Sequence, residues 1–418
     1  MLARELLVNC FQAAVRAADP HAIIPRFLPQ RPRGRTIVVG AGKGAAQMAA
    51  ALERAWEGPL SGVVVTRYGY GAPTERIEVI EAAHPIPDAA GLRATQRLVS
   101  AVSGLTKDDL VIALICGGGS ALLPSPGGDL TLNDEIAVNT SLLRSGAPIE
   151  VMNAIRKHIS TMKGGGLAAS AYPAKVVSLI ASDIPGDCIS LVSSGPTVAD
   201  RTTRMDALAF IEQYRIDLPV SVMMHLRSER ADSFDPDDPR FQGNEAFLIA
   251  SAAGSLEAAA AEARVRGIDA IILSDSIQGE ASIVGGVHAA IAREIALRDR
   301  PFKKPVLLLS GGETTVSMRG YGKGGRNSEF ALSLAIELDG VSRVTALIAD
   351  TDGIDGSEDN AGAFADDKSV RRMLDAGIDP RACLLQNDSW TAFERVNDLF
   401  VVGPTGVNVN DFRAILIE

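Results

Sequence analysis

A β-branched apolar run that breaks straight into glycines restricts what a chain can become, and this sequence repeats that pattern along its length. Its first instance is Arg35-Thr36-Ile37-Val38-Val39, followed at once by Gly40-Ala41-Gly42-Lys43-Gly44. Beyond the glycines, Ala45, Met48, Ala49, Leu52 and Trp56 recur at the spacing of one helix face. The segment reads as strand, tight turn and helix. Glycines let a backbone approach a bound anion, and a helix start offers unpaired N–H groups and a positive dipole end. Lys43 adds a cation to that turn, where it is mildly unfavourable unless an anion offsets it. Two chemistries fit. Gly40-x-Gly42-x-x-Ala45 matches the loose dinucleotide fingerprint of dehydrogenases. Alternatively, Lys43 is the functional group and the loop handles a phosphoryl group.

The same device recurs downstream. Leu110–Ile115 runs into Cys116-Gly117-Gly118-Gly119-Ser120, and Lys175–Ile180 ends at Ser182-Asp183-Ile184-Pro185-Gly186-Asp187. Val306–Leu309 opens into Ser310-Gly311-Gly312-Glu313, Gly324-Gly325-Arg326-Asn327 begins a helix, and Val344–Ala349 ends in Asp350-Thr351-Asp352-Gly353. Strands alternating with helices predict an α/β fold with an open, mostly parallel, doubly wound sheet, whose ligands sit beyond the carboxyl ends of the strands. The polar, proline-bearing stretch Ser228–Asn244 reads as a linker. It divides a Rossmann-like α/β domain over residues 1–240 from a second α/β domain over 241–418.

Net charge narrows the partners. At −10 the chain gains nothing from a nucleic-acid or anionic-membrane surface, although a local basic pocket can still hold an anionic substrate. Cys10, Cys116, Cys188 and Cys383 are scattered without metal-type spacing, as in a reducing cytoplasmic compartment. Residues Met1–Ala18 form one amphipathic pattern interrupted by Arg4, Glu5 and Arg16, a docking helix and not a signal peptide.

Several residue choices have a plain alternative. Arg326 offers a planar fork for phosphate or carboxylate, or pairs with Glu313 or Glu329. Asp350-x-Asp352-x-x-Asp355 lacks the terminal glutamate of a calcium loop; its carboxylates hold Mg²⁺ or cap turns. Asp183 and Asp187 face the same choice. His158 reads as a packed residue, and His84 before Pro85 stays open.

Taken in order, these motifs resemble the class II glycerate kinases, the glycerate 2-kinase family whose C-terminal part is called the MOFRL domain. The resemblance rests on Gly40–Lys43, Cys116–Leu122, Arg156-Lys157-His158-Ile159-Ser160 with Lys163-Gly164-Gly165, Ser182-Asp183 and Gly186-Asp187. It continues through Ser194-Gly195-Pro196-Thr197, Ser310–Glu313, Gly322–Asn327, Thr351-Asp352-Gly353 and Gly403-Pro404-Thr405-Gly406 with Asn408. It implies an ATP- and Mg²⁺-dependent kinase that converts D-glycerate to 2-phosphoglycerate and ADP, built from two α/β domains with the site in the cleft. Such a small-molecule enzyme needs no nucleic acid or membrane and leaves room for a homodimer.

On that reading Lys43 and Arg326 take the transferring phosphoryl group or the glycerate carboxylate, and Asp183 accepts the hydroxyl proton. Gly42, Gly117, Gly118, Gly119 and Ser120, with Gly311, Gly312 and Glu313, line the nucleotide phosphates, while Asp187 and Asp352 hold Mg²⁺. Both cations lie in glycine turns, so their removal is expected to spare stability. Family members often carry the label hydroxypyruvate reductase, and a nicotinamide-dependent reductase is the runner-up. Against it, the acidic residue that should hold the ribose is replaced by Arg67, which could instead meet a 2′-phosphate. A non-catalytic metabolite sensor would use the same pockets without turnover.

Overall fold

The computed structural model describes residues 3–418, so the first two residues of the expected docking helix lie outside it. The chain divides into two compact units, Pro20–Ile249 and Met1–Asp19 with Ala250–Glu418. The expected division after residue 240 therefore differs in two respects: the boundary falls after Ile249, and the opening helix, Ala3–Ala18, belongs with the distal half of the chain. The reason is apolar. Leu7, Cys10, Phe11 and Ala14 are buried with Leu256, Ala259, Ala260 and Ala263 of the alanine-rich helix Ala252–Val265. Phe11 then meets Phe400 and Phe412 edge-on at 5.0 and 5.6 Å.

The unit Pro20–Ile249 is built on β1 (Thr36–Ala41), β2 (Ser61–Arg67), β3 (Ile77–Ala82), β4 (Leu110–Cys116), β5 (Lys175–Ala181) and β6 (Glu245–Ala250). The sheet order is β3-β2-β1-β4-β5-β6, and the pairs β2–β3, β1–β2, β1–β4 and β4–β5 are parallel. Order reverses between β1 and β4, which is where an open α/β sheet leaves a crevice at its carboxyl edge. Val38, Val39, Ile112, Ala113 and Leu114 are inaccessible, because helices cover both faces and each strand reads as one apolar run. A separate helical cluster packs Val138, Leu142, Ile155, Ile211, Val222 and Leu226 together. Through it the helix Ile149–Lys157 is held, which matters for the site below.

The other unit uses β7 (Asp269–Glu280), β8 (Val306–Thr315), β9 (Val344–Asp350), β10 (Gly362–Asp366), β11 (Leu399–Phe400) and β12 (Asp411–Ile417). Its order is β11-β10-β9-β12-β8-β7, and this sheet is mixed: β7 and β8 run parallel, while β12 is antiparallel to both β8 and β9. Alternation along each strand feeds two cores. Val306 and Leu308 join Phe330 and Leu334 of the helix Arg326–Glu337 on one face, and Leu307 and Leu309 join Leu256 and Phe11 on the other.

Candidate active site

In the first unit the strand ends at the crevice bring two glycine turns into contact. After β1, Gly42 has φ +137°, and a β-carbon there would overlap the Cys116 carbonyl and Sγ. The turn is tied down by its own donors. Gly42 N–H bonds Val65 O at 3.1 Å, Lys43 N–H bonds Gly117 O at 2.8 Å, and Gly44 N–H bonds Cys116 Sγ at 3.2 Å. These N–H groups are therefore spent inside the protein, and the expected backbone cradle at Gly42 is corrected: what this turn delivers outward is the Lys43 side chain. Burial pushes the Cys116 thiol up to about 12, so it acts as an acceptor wedge and not as a nucleophile.

The second turn follows β4. Gly118 has φ +83°, with its α-carbon face between the Lys43 stem and the His84 ring; an added β-carbon would meet Lys43 Cγ and His84 Nε2 at 3.1 Å each. Gly117 leaves room for the Asp183 carboxylate, which an added β-carbon would overlap. Gly119 N–H bonds Ser193 Oγ at 2.9 Å, and Ser193 Oγ donates to Cys116 O at 2.5 Å. Ser120 Oγ lies 2.7 Å from Ser194 Oγ, which donates to Asn153 Oδ1 at 2.8 Å. Ser193 and Ser194 are both in the left-handed region, at φ 53° and 62°. Non-glycine residues stay there only when their surroundings over-determine it, and such strain gathers at functional sites.

So Lys43, Gly117, Gly118, Gly119, Ser120 and Asp183 do come together, joined by His84, which sequence reasoning left open. Asp187 ends the same β5 turn, half-buried, with φ 54° and its N–H on Ile184 O. Burial, then the positive charges of Lys43, Arg67 and Arg156, lowers the His84 pKa to about 4. The imidazole is neutral at pH 7 and reports a strongly cationic neighbourhood. Because the folded value lies below the ordinary one of 6.5, this contribution to stability is whole above pH 6.5 and is lost as pH falls towards 4. Denaturant unfolding across that window should show the loss, and a His84→Gln protein should lose measurably less stability than the parent. Identical pH profiles for the two would refute the assignment.

In the other unit the expected anion positions are filled by the protein's own carboxylates. Arg326 Nε bonds Asp411 Oδ1 at 2.6 Å, Nη2 bonds Asp350 Oδ2 at 2.8 Å, and Nη1 reaches Glu313 Oε1 at 3.3 Å. Asp355 closes the helix start, accepting the N–H groups of Asn327 at 2.9 Å and Ser328 at 2.7 Å. Register explains the arrangement, since Asp411 is the Cα partner of Asp350 on β9 and of Gly312 on β8. Two aspartates side by side repel unless a cation lies between them. Arg326 supplies it, and Arg413 pairs with the other oxygen of Asp411. Burial alone would raise Asp411, but Arg413 and Arg326 overcome it and hold the carboxyl below its ordinary range. Asp350 is pushed well up by burial, with Asp352 and Asp411 adding to it.

Three expectations change here. Gly311 and Gly312 are not a turn but lie within β8, paired to β12, with Gly312 opposite the β7 bulge at Ile277. A β-carbon at Gly312 would overlap that backbone, so this glycine serves close strand approach. Glu313 is an exposed partner of Arg326. Asp352 caps its own turn, accepting the Ile354 N–H at 2.8 Å, and it belongs to a different unit from Asp187. Among the described residues no three His, Cys, Asp or Glu side chains are grouped to hold a metal ion. His158 is packed as expected, its ring nitrogens 2.7 Å from Ala231 O and 3.1 Å from Thr202 O.

Comparison with known proteins closes the question of kinship. Residues 6–227 match the family model described as a domain of unknown function, DUF4147, and residues 306–411 match the MOFRL family. A D-glycerate 2-kinase of Thermotoga maritima is 38% identical, over 99% of this chain and 98% of its own length. This chain belongs to the glycerate 2-kinase, or MOFRL, family. The crystal structure of glycerate kinase from Thermotoga maritima superposes with a TM-score of 0.89 at 36% identity, covering 99% of each chain. A family relative from Agrobacterium vitis, 52% identical over 99% of this chain and 94% of its own, is named putative hydroxypyruvate reductase. Both names therefore occur among the relatives of this MOFRL-family chain, and the site must choose between them.

Proposed function

We propose that the protein is an ATP-dependent D-glycerate 2-kinase, transferring the γ-phosphoryl group to the 2-hydroxyl and releasing 2-phosphoglycerate and ADP, in the cytoplasm. The observation that carries the choice is the state of the first glycine turn. Its leading N–H groups are consumed by Val65, Gly117 and Cys116, and Arg67 stands at the end of β2 where a dinucleotide-binding sheet needs an acid. What remains available there is cationic charge around a neutral histidine, the equipment of phosphoryl transfer, which asks mainly for positioning and neutralisation.

In this reading Lys43 neutralises the migrating phosphoryl group and the Gly117–Ser120 turn orients its oxygens. Asp183, lying on Gly117, takes the 2-hydroxyl proton on its carboxylate. Mg²⁺ bound to a nucleotide keeps phosphate and water ligands and needs only one or two carboxylates. Asp187, on the same turn as Asp183, would supply one of them, and Asp183 stays the base; Asp352 caps its own loop. When present, the ion spreads the charge on the β- and γ-phosphates. Arg326 is given a different task from the one its sequence suggests: it holds Asp411 and Asp350 side by side.

A paired assay tests the proposal. With D-glycerate, ATP and Mg²⁺ the protein should form ADP only when glycerate is present, and added enolase should convert the product directly to phosphoenolpyruvate. Hydroxypyruvate with NADH or NADPH should give no turnover. Robust nicotinamide oxidation without ATP use would establish the reductase instead. A requirement for phosphoglycerate mutase before enolase would move the phosphate to the 3-position.

A further inference from the structure

Among the described residues the deeply buried lysines and arginines come with an acid, and one stands apart. Arg413 pairs with Asp411, Lys157 with Asp200, and Lys163 lies 3.7 Å from Glu135. Arg156, in the last turn of the helix Ile149–Lys157, is only 9% exposed, and among the described residues no carboxylate lies within ion-pair distance of it. Its partners are neutral: Nε bonds Asn139 Oδ1 at 3.0 Å and Nη1 bonds Asn153 Oδ1 at 3.3 Å. Burying an unpaired charge is costly, and a protein that keeps one has a use for it.

Its surroundings indicate which use. Asn153 Oδ1 also accepts from Ser194, whose hydroxyl contacts Ser120 in the turn beside Lys43. One hydrogen-bonded chain thus runs from the Arg156 guanidinium to the candidate site, and Arg156 is near enough to depress His84 together with Lys43 and Arg67. Both asparagines are themselves anchored, Asn139 Nδ2 on Glu135 O at 3.1 Å and Asn153 Nδ2 on Leu191 O at 2.9 Å, so the guanidinium is fixed in place before any ligand arrives.

We propose that Arg156 binds an oxyanion of the reactants in the half-site that carries Lys43, the ligand bringing the negative charge the fold withholds. The inference rests on the kinase reading. Two sources share this chemistry, the carboxylate of the hydroxy-acid acceptor and a phosphate of the nucleotide. A planar, fixed guanidinium suits either.

The test uses the full chain with Arg156→Lys, which keeps the charge and loses the fork. KM for D-glycerate and for ATP are measured separately, and so is the thermal protection given by D-glycerate alone and by ATP alone, which needs no turnover. At least a tenfold rise in one KM is expected, with loss of protection by the same ligand. Movement of the glycerate arm identifies the carboxylate, and movement of the ATP arm the phosphate. Should Arg156→Lys fail to fold, Asn139→Asp carries the test. It sets a permanent carboxylate on Arg156 Nε, and the same KM should rise because the charge is already answered. A folded variant with both KM values and both protections within twofold of the parent would overturn the proposal. Loss of protection in a protein that proves to have no kinase activity would instead leave the anion site standing and remove only the kinase reading.

Discussion

Lys43→Ala is expected to fold normally and to lose on the order of 100- to 1000-fold in turnover, the usual cost of removing a preorganised charge from a reacting oxygen. The structure separates the two effects. The structural bond of this residue is made by its backbone N–H to Gly117 O, which alanine keeps. Its side chain passes over Gly118, beside His84. Unfolding free energy should therefore stay within about 0.5 kcal/mol of the parent. A second reporter comes from His84: with one of the three cations beside it gone, its pKa should rise from about 4 towards the ordinary 6.5. Histidine titration by NMR reads this without substrate. Near-normal turnover in the folded variant would place the chemistry elsewhere.

Arg326→Ala should behave in the opposite way. Sequence reasoning treats this arginine as a helix-start cation with little to support, yet it holds three carboxylates, two of them buried neighbours across β9 and β12. Breaking one side of a buried ion network typically costs about 3–5 kcal/mol. At roughly 2–4 °C per kcal/mol for a unit of this size, calorimetry should show a fall of about 6–20 °C in its melting transition. The gap should narrow on acidification, since protonating Asp350 relieves the repulsion that Arg326 otherwise answers. Arg326→Lys should recover only part of the loss, because one ammonium cannot meet three acceptors set at the edges of a guanidinium. A melting point within about 2 °C of the parent would show that the network contributes nothing measurable.

These contrasting expectations mark where the sequence was readable. Strands β1 and β4 announce themselves as apolar runs ending in glycine, because both faces of the inner sheet are covered and few polar residues are tolerated there. The cluster around Lys43 was legible for the same reason: strand ends converge at the crevice, so their turns must meet. Strand β12 gave a weaker signal. Arg413 interrupts its pattern, and a lone charge in a short run usually means exposure, whereas here Asp411 two residues earlier supplies the counter-charge on the same face. Missing β12 hides the partner that defines Arg326, and with it the true state of Gly311 and Gly312. Arg156 was visible as part of a motif, but its significance is the absence of an acid around it, and absence in three dimensions leaves no mark in one.

The opening helix has a consequence during synthesis. Helix Ala3–Ala18 is made long before its seat, for it packs on the helix Ala252–Val265 and beside Phe400 and Phe412. Residues 20–249 form a compact unit of their own, made entirely in the meantime. The opening segment must wait through all of that, roughly ten to fifty seconds at ~5–20 residues per second, with Leu7 and Phe11 uncovered. Its sheet cannot close until β12, an inner strand, has been made. A nascent chain stalled before residue 411 would thus carry one finished unit and one apolar helix without its seat, a natural target for chaperones that recognise exposed leucine and phenylalanine.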